Sequence, residues 1–248
     1  MSKRSIAGQT ALVTGAAKRI GRAICLALAG EGVNIVVHYR RSESEAAELL
    51  DELTSEGVSA WAVRADFEKP DEYETLIQRA IDAAGSLDIL VNNASIFPPD
   101  TLDNVTFDSL KTNIEVNAWV PFVLSRDFAK LAGKGKIINL IDSRVTDADW
   151  NHVGYILSKH VLAALTDMTA IAYAPDIAVN AIAPGLILPP PGKDQSYIER
   201  LADTVPLKRH GDPRDIAEAA VFLAKSKFLT GEVIYVDGGR HLKEYRNG

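Results

Sequence analysis

Thr10-Ala11-Leu12-Val13-Thr14-Gly15-Ala16-Ala17-Lys18-Arg19-Ile20-Gly21 is the stretch on which the fold turns. A short apolar run ends in a glycine-bearing turn that leads into a helical segment. Glycines there permit a tight turn and let a phosphate approach backbone amides at a helix N-terminus. Working outward, Val33–His38, Asp88–Asn92, Lys136–Ile141, Ile177–Ile182 and Glu232–Val236 are apolar runs of similar style, and Ser59–Val63 is a weaker, alternating one. Mostly apolar strands imply a sheet covered on both faces. Helical spacing fills the gaps. From Ser42 to Glu56, Ala46, Leu49, Leu50 and Leu53 recur at helical intervals, and Ser42 with Glu45 can close a capping box. The pattern predicts an α/β chain with seven strands in a doubly wound parallel sheet, one domain over 1–248.

Composition narrows the class. The chain has 248 residues, 47% hydrophobic and 24% charged, enough for one full core. A net charge of −6 gives no reason to expect nucleic acid or an acidic membrane surface. The single cysteine, Cys25, excludes an intrachain disulfide and a cysteine-based metal site, and its apolar neighbours place it in the core. The five histidines show no ligand spacing, so no metal is expected. No apolar h-region follows Met1-Ser2-Lys3-Arg4-Ser5 and no run reaches spanning length, so the expectation is a cytoplasmic protein.

The second strand ends in His38-Tyr39-Arg40-Arg41-Ser42, where an NAD site would usually carry an acid for the ribose hydroxyls. Guanidinium forks suit a phosphate dianion. With Lys18 and Arg19 in the first turn, the site is expected to prefer NADPH. Asp66, after the third strand, could accept a hydrogen bond from the adenine amine. Further along, Tyr155 and Lys159 are four residues apart and share a helix face, and Asp142 precedes the tyrosine by thirteen positions. A lysine beside a phenol is expected to lower the phenol pKa, making a proton donor for a group that receives hydride. Pro184 to Asp194 is proline-rich and follows a strand. It reads as the start of a substrate-covering loop around 185–205 at the sheet's carboxyl edge. Trp150 and Tyr197 lie in segments able to line a pocket.

These motifs together resemble the short-chain dehydrogenase/reductase family along nearly the whole chain: Thr14-Gly15, Asn92-Asn93-Ala94, Asn117, Tyr155-x-x-x-Lys159, Pro184-Gly185 and Asp237-Gly238-Gly239. The resemblance implies a Rossmann fold, a nicotinamide cofactor and a homotetramer. It implies cofactor contacts from Gly15 to Gly21 (Lys18, Arg19 and Ile20 included), from Tyr39 to Ser42, and from Asp66, Asn93, Ala94, Ser95, Tyr155, Lys159, Pro184, Gly185 and Leu186. Four departures are similar to the family's pteridine reductases, dihydromonapterin reductases included. They are Asp142 where serine is usual, Ser95 after Asn-Asn-Ala, Arg19 in the glycine turn, and the basic end of the second strand. By that likeness Arg19 and Ser95 would touch both cofactor phosphates and a pterin, and Phe97 would stack on the pterin ring. Asp142 would shuttle protons through Tyr155, Lys159 would bind the nicotinamide ribose, and Asn117 would hold a water linking Lys159 to solvent. The competing expectations are a carbonyl reductase of 3-oxoacyl thioesters or other ketones, and a non-catalytic nucleotide sensor.

Overall fold

The computed structural model describes residues 5–147, 150–190 and 192–242. All seven expected strands form, with ends shifted by a residue or two: β1 Thr10–Val13, β2 Asn34–Tyr39, β3 Ala60–Arg64, β4 Ile89–Asn92, β5 Gly135–Leu140, β6 Ile177–Pro184 and β7 Val233–Val236. They pair in parallel in the order β3-β2-β1-β4-β5-β6-β7. The helices are α1 Arg19–Ala29, α2 Glu43–Ser55, α3 Pro70–Tyr73, α4 Leu76–Ala84, α5 Phe107–Ile114, α6 Val120–Leu131, α7 Val153–Ala172, α8 Gln195–Ala202 and α9 Pro213–Lys225.

The strands are apolar throughout because each face of the sheet carries its own core. Ala11, Val13, Ile35, Val37, Ile89, Val91, Ile138 and Leu140 pack under α1, α2 and α9, with Cys25 among the buried residues of that layer. Leu12, Val36, Leu90 and Ile137, the alternate positions, pack on the opposite face with residues of α4 and α6. Period-two alternation thus divides one hydrophobic run between two layers. Burial also pushes the Cys25 thiol up, leaving an inert core residue.

After β3 the chain crosses over β1 to lay β4 on its other side, so the sheet order reverses between β1 and β4. Ligands bind in the crevice beyond the strand carboxyl ends at such a point. Two expectations are corrected here. The capping box at Ser42 does not form: its side chain makes no cap bond, and Glu45 is drawn to Lys18 instead. The stretch 185–205 is not simply a loop, since it contains α8, whose Ile198 packs with Leu186 and Val205. Pro191 lies outside the described residues. Among the described residues, no helix is long and apolar enough to cross a membrane.

Candidate active site

A cleft of about 450 Å³ opens at the reversal point, within the ~300–1,000 Å³ range of small-molecule sites. Gly15, Lys18, Arg19, Ile20 and Gly21 line it from the first turn, Tyr39, Arg40, Arg41 and Ser42 from the end of β2, and Asn93, Ala94 and Ser95 from beyond β4. Thr14 ties the two loops together. Its hydroxyl accepts from the N–H groups of Asn93 and Ala94, each at 2.9 Å, and the Asn93 amide returns a bond to the Thr14 carbonyl at 2.8 Å. Gly21 is needed for this closeness, because a Cβ there would sit 2.4 Å from the Gly15 carbonyl oxygen. Arg19, where the usual glycine is absent, adopts φ +56°, a left-handed conformation that costs a non-glycine residue about 1 kcal/mol. Its guanidinium donates to the Pro189 carbonyl at 2.8 Å.

The basic end of β2 is less bare than its sequence. Arg40 pairs with Glu68 at 2.6 Å and lies 3.5 Å from Asp66, and Lys18 pairs with Glu45. Arg41 is exposed and makes no ion pair among the described residues. Asp66 spends Oδ1 on the Glu68 N–H and does not line the cleft. Pro184, Gly185 and Leu186 do not line it either. Gly185 is explained by packing, since a Cβ there would lie 2.5 Å from Asp237, and Leu186 belongs to the α8 cluster.

The candidate reacting groups meet beside this cleft. Tyr155 donates its hydroxyl to Asp142 Oδ2 at 2.9 Å. Lys159 is buried, and its ammonium donates to the Leu140 carbonyl at 2.7 Å, 5.6 Å from the Tyr155 ring centre. The expectation of a lowered phenol pKa is reversed. Burial, then the Asp142 charge, hold Tyr155 well above its ordinary value. Burial also pulls Lys159 down to about 8, against the Asp142 charge. Spacing alone put cation and phenol on one face but could not show that a carboxylate is the phenol's nearest partner.

Asn117 holds no free amide atom for a water. Its Oδ1 accepts from Ser95 Oγ at 3.0 Å and Ile96 N at 2.8 Å, and its Nδ2 donates to Ile96 O and to Ser158 Oγ. It is a brace between the β4 loop and α7. It sits in a π-helical turn, Glu115–Trp119, that separates α5 from α6, a feature often found at functional sites. Ser95, exposed at the cleft, spends its hydroxyl on Asn117 Oδ1 and the Ile96 carbonyl. Phe97 lies with a face on His152, ring centres 3.8 Å apart, and edge-on to Tyr155 at 4.6 Å. Trp150 is exposed beside a second, outer cleft with Arg144 and Arg240, while Tyr197 packs with the α8 cluster.

Four contributors escaped the sequence reading. His38, buried, accepts the Gly15 N–H at Nδ1 (3.0 Å) while Nε2 faces the Ala65 carbonyl (3.1 Å), so it is neutral with the proton on Nε2. Burial pulls its pKa down to about 4. His152 starts α7 in a left-handed conformation and backs Phe97. Asp100 accepts the Gly154 N–H, bringing a carboxylate to the start of α7. Arg144 grips Asp142, as described below. The only sequence signal was adjacency: each lies within five residues of a motif position. Among the described residues no metal-ligating cluster occurs.

Known proteins match this geometry. The family described as enoyl-(acyl carrier protein) reductase matches residues 15–241. A 3-oxoacyl-[acyl-carrier-protein] reductase, FabG, of Staphylococcus epidermidis is 34% identical, covering 94% of this chain and 99% of that protein. Its counterpart in Staphylococcus aureus strain Mu50 is 35% identical, covering 94% and 98%. The crystal structure of FolM alternative dihydrofolate reductase 1 from Brucella suis, in complex with NADP, superposes with a TM-score of 0.91 at 33% identity, covering 96% of this chain and 97% of that one. A blue fluorescent protein from a metagenomic library, in complex with NADPH, gives 0.86 at 31% identity, covering 95% and 99%. A family model matched over residues 15–241 and relatives 34–35% identical across 94% of the chain decide the matter: the chain belongs to the short-chain dehydrogenase/reductase family of oxidoreductases.

Proposed function

We propose that this protein is an NADPH-dependent reductase of a dihydropterin-type substrate. The observation that carries this reading is the bond from the Tyr155 hydroxyl to a carboxylate, Asp142, where a carbonyl reductase would present a second hydroxyl. A carboxylate only accepts hydrogen bonds. It suits a heterocycle edge bearing N–H groups and opposes a ketone oxygen. The likeness to FolM of Brucella suis supports the same substrate class.

The cleft fits NADPH. The Gly15–Gly21 turn and the Asn93–Ser95 loop would hold its phosphates and nicotinamide side, with Lys159 on the ribose. Arg41 and Ser42 line the cleft at the end of β2, whereas the nearby carboxylate of Asp66 does not line it and is drawn through Oδ1 to the Glu68 N–H and Arg40. When bound, NADPH supplies the hydride. Tyr155 keeps its proton through neutral pH and gives it to the substrate nitrogen beside the reduced carbon. Asp142 orients the phenol, and Phe97 offers apolar ring surface against a flat substrate.

A second reading is favoured by the Staphylococcus relatives, whose names specify 3-oxoacyl-[acyl-carrier-protein] reduction. Its weakness is that an acceptor, Asp142, stands where a hydroxyl donor would be expected. Ser143 is buried, and its hydroxyl makes no hydrogen bond among the described residues. NADPH consumption with dihydromonapterin, dihydrobiopterin, dihydrofolate and acetoacetyl thioester decides between them. We expect a dihydropterin to give the highest kcat/KM by tenfold or more; turnover of the thioester alone overturns the pterin reading.

A homotetramer belongs to the same proposal. Phe107, Trp119, Leu157, Met168 and Ile171 leave exposed apolar surface on α5, the π-turn and α7, and Phe222 and Phe228 expose more at α9 and just beyond it. Light scattering at the mass of one chain would refute it. A cytoplasmic location accords with a lone, buried cysteine.

A further inference from the structure

We propose that Arg144 is the positioning residue of this centre. Its guanidinium clamps the Asp142 carboxylate, ionised, in the orientation that receives the Tyr155 hydroxyl, and so fixes the phenol that delivers the proton to the substrate nitrogen. Arg144 Nε donates to Asp142 Oδ1 and Nη2 to Oδ2, both at 3.0 Å, the planar two-point grip that only arginine provides. The Arg144 backbone N–H adds a third bond to Oδ1 at 2.8 Å, because Asp142 caps the 3-10 turn Ser143–Thr146. The guanidinium carbon lies 5.5 Å from the ring centres of both Phe97 and Tyr155, so the cation that holds Asp142 also stands over both aromatic rings of the site.

Burial alone would raise the Asp142 pKa. The hydrogen bonds and charge of Arg144, aided by the Tyr155 hydroxyl, outweigh it and hold the carboxyl below its ordinary value. Without the clamp, burial wins, Asp142 takes a proton, and the acceptor becomes a donor. The other ionisable groups facing this pair are Tyr155 and Lys159 on α7, His152 behind Phe97, and Asp147 and Arg240 on the outer cleft.

The role in proton delivery rests on the reductase reading above; the clamp does not. The test therefore uses two readouts on the full chain with NADPH bound, comparing wild type with Arg144→Met and Arg144→Lys. The first is urea stability from about pH 4 to about pH 8. In wild type the depressed Asp142 contributes stability that is fully present above about pH 4 and lost only as pH falls through its lower folded value. In Arg144→Met the carboxyl is raised, so stability should fall, relative to wild type, as pH climbs from about 4 through the raised folded value. The second is the acid limb of kcat/KM, which should move up by about one pH unit or more in Arg144→Met. Arg144→Lys should keep the wild-type limb with a lower kcat, and NADPH affinity should hold in both. Superimposable stability and rate profiles for wild type and Arg144→Met overturn the clamp. If Arg144→Met does not fold, an unchanged kcat in Arg144→Lys overturns it. If wild type reduces no substrate offered, the reductase reading fails and the stability profiles alone judge Arg144.

Discussion

At the β1 end of the site, backbone is held by backbone and by side chains that serve backbone: Thr14 receives two N–H groups, Asn93 returns a bond, and His38 fixes the Gly15 amide. At the α7 end, side chains hold side chains: Arg144 to Asp142, Asp142 to Tyr155, Arg144 against Phe97. The first arrangement fixes two loops by tying their main-chain N–H groups to a few side chains. The second depends on each member of a chain of contacts. Substitutions should therefore separate binding at one end from chemistry at the other.

Tyr155→Phe should show the largest effect. It removes one hydroxyl from the proton path and leaves the cleft intact, so kcat should fall by about 10²–10⁴, the usual worth of a positioned acid. NADPH affinity, read by fluorescence titration, should stay within about threefold, given that Tyr155 does not line the nucleotide cleft. A fall in kcat below tenfold, or a matching loss of affinity, breaks the division between the two ends.

His38 sharpens it next, because its imidazole serves the backbone end. Its folded pKa is near 4 and its ordinary value 6.5. The unfolded chain takes up the proton first as pH falls, so this stability is fully present above about pH 6.5 and is lost progressively down to about 4. Two and a half pKa units correspond to about 3 kcal/mol. Denaturant midpoints measured from pH 7 to 4 should show this slope in wild type and lose it in His38→Asn. An unchanged slope in the variant would place the acid sensitivity elsewhere.

The contrast also governs what could be read from sequence. Strands and glycine turn were legible because apolar runs and backbone freedom are local properties. Asp142, Tyr155 and Lys159 were legible as a constellation, since one helical turn and one preceding strand end bring them together. Their electrostatics were not. Lys159 turns to Leu140, and burial raises the Tyr155 pKa, neither of which spacing encodes. Arg19 was visible as a departure, yet its partner Pro189 lies 170 positions away. Asn117 was found as a motif residue and given a different task, because its amide partners come from a loop and a helix that only the fold assembles.

The smallest effect tests a place where local pattern and tertiary contact compete. Ser42 and Glu45 have the spacing of a capping box, and a working cap is worth about 1 kcal/mol. In the fold Ser42 sits at φ −95° and ψ 59° with no cap bond, and Glu45 answers Lys18 across the cleft rim. Ser42→Ala should accordingly change stability by less than about 0.5 kcal/mol, as for an ordinary surface position. The same variant should raise KM for NADPH a few-fold, because Ser42 lines the cleft beside Arg41. A stability loss near 1 kcal/mol with unchanged KM would restore the box and take Ser42 out of the site. The expected opposite, a change in KM with little in stability, would show that the residue was kept for the ligand end of α2 rather than for the helix.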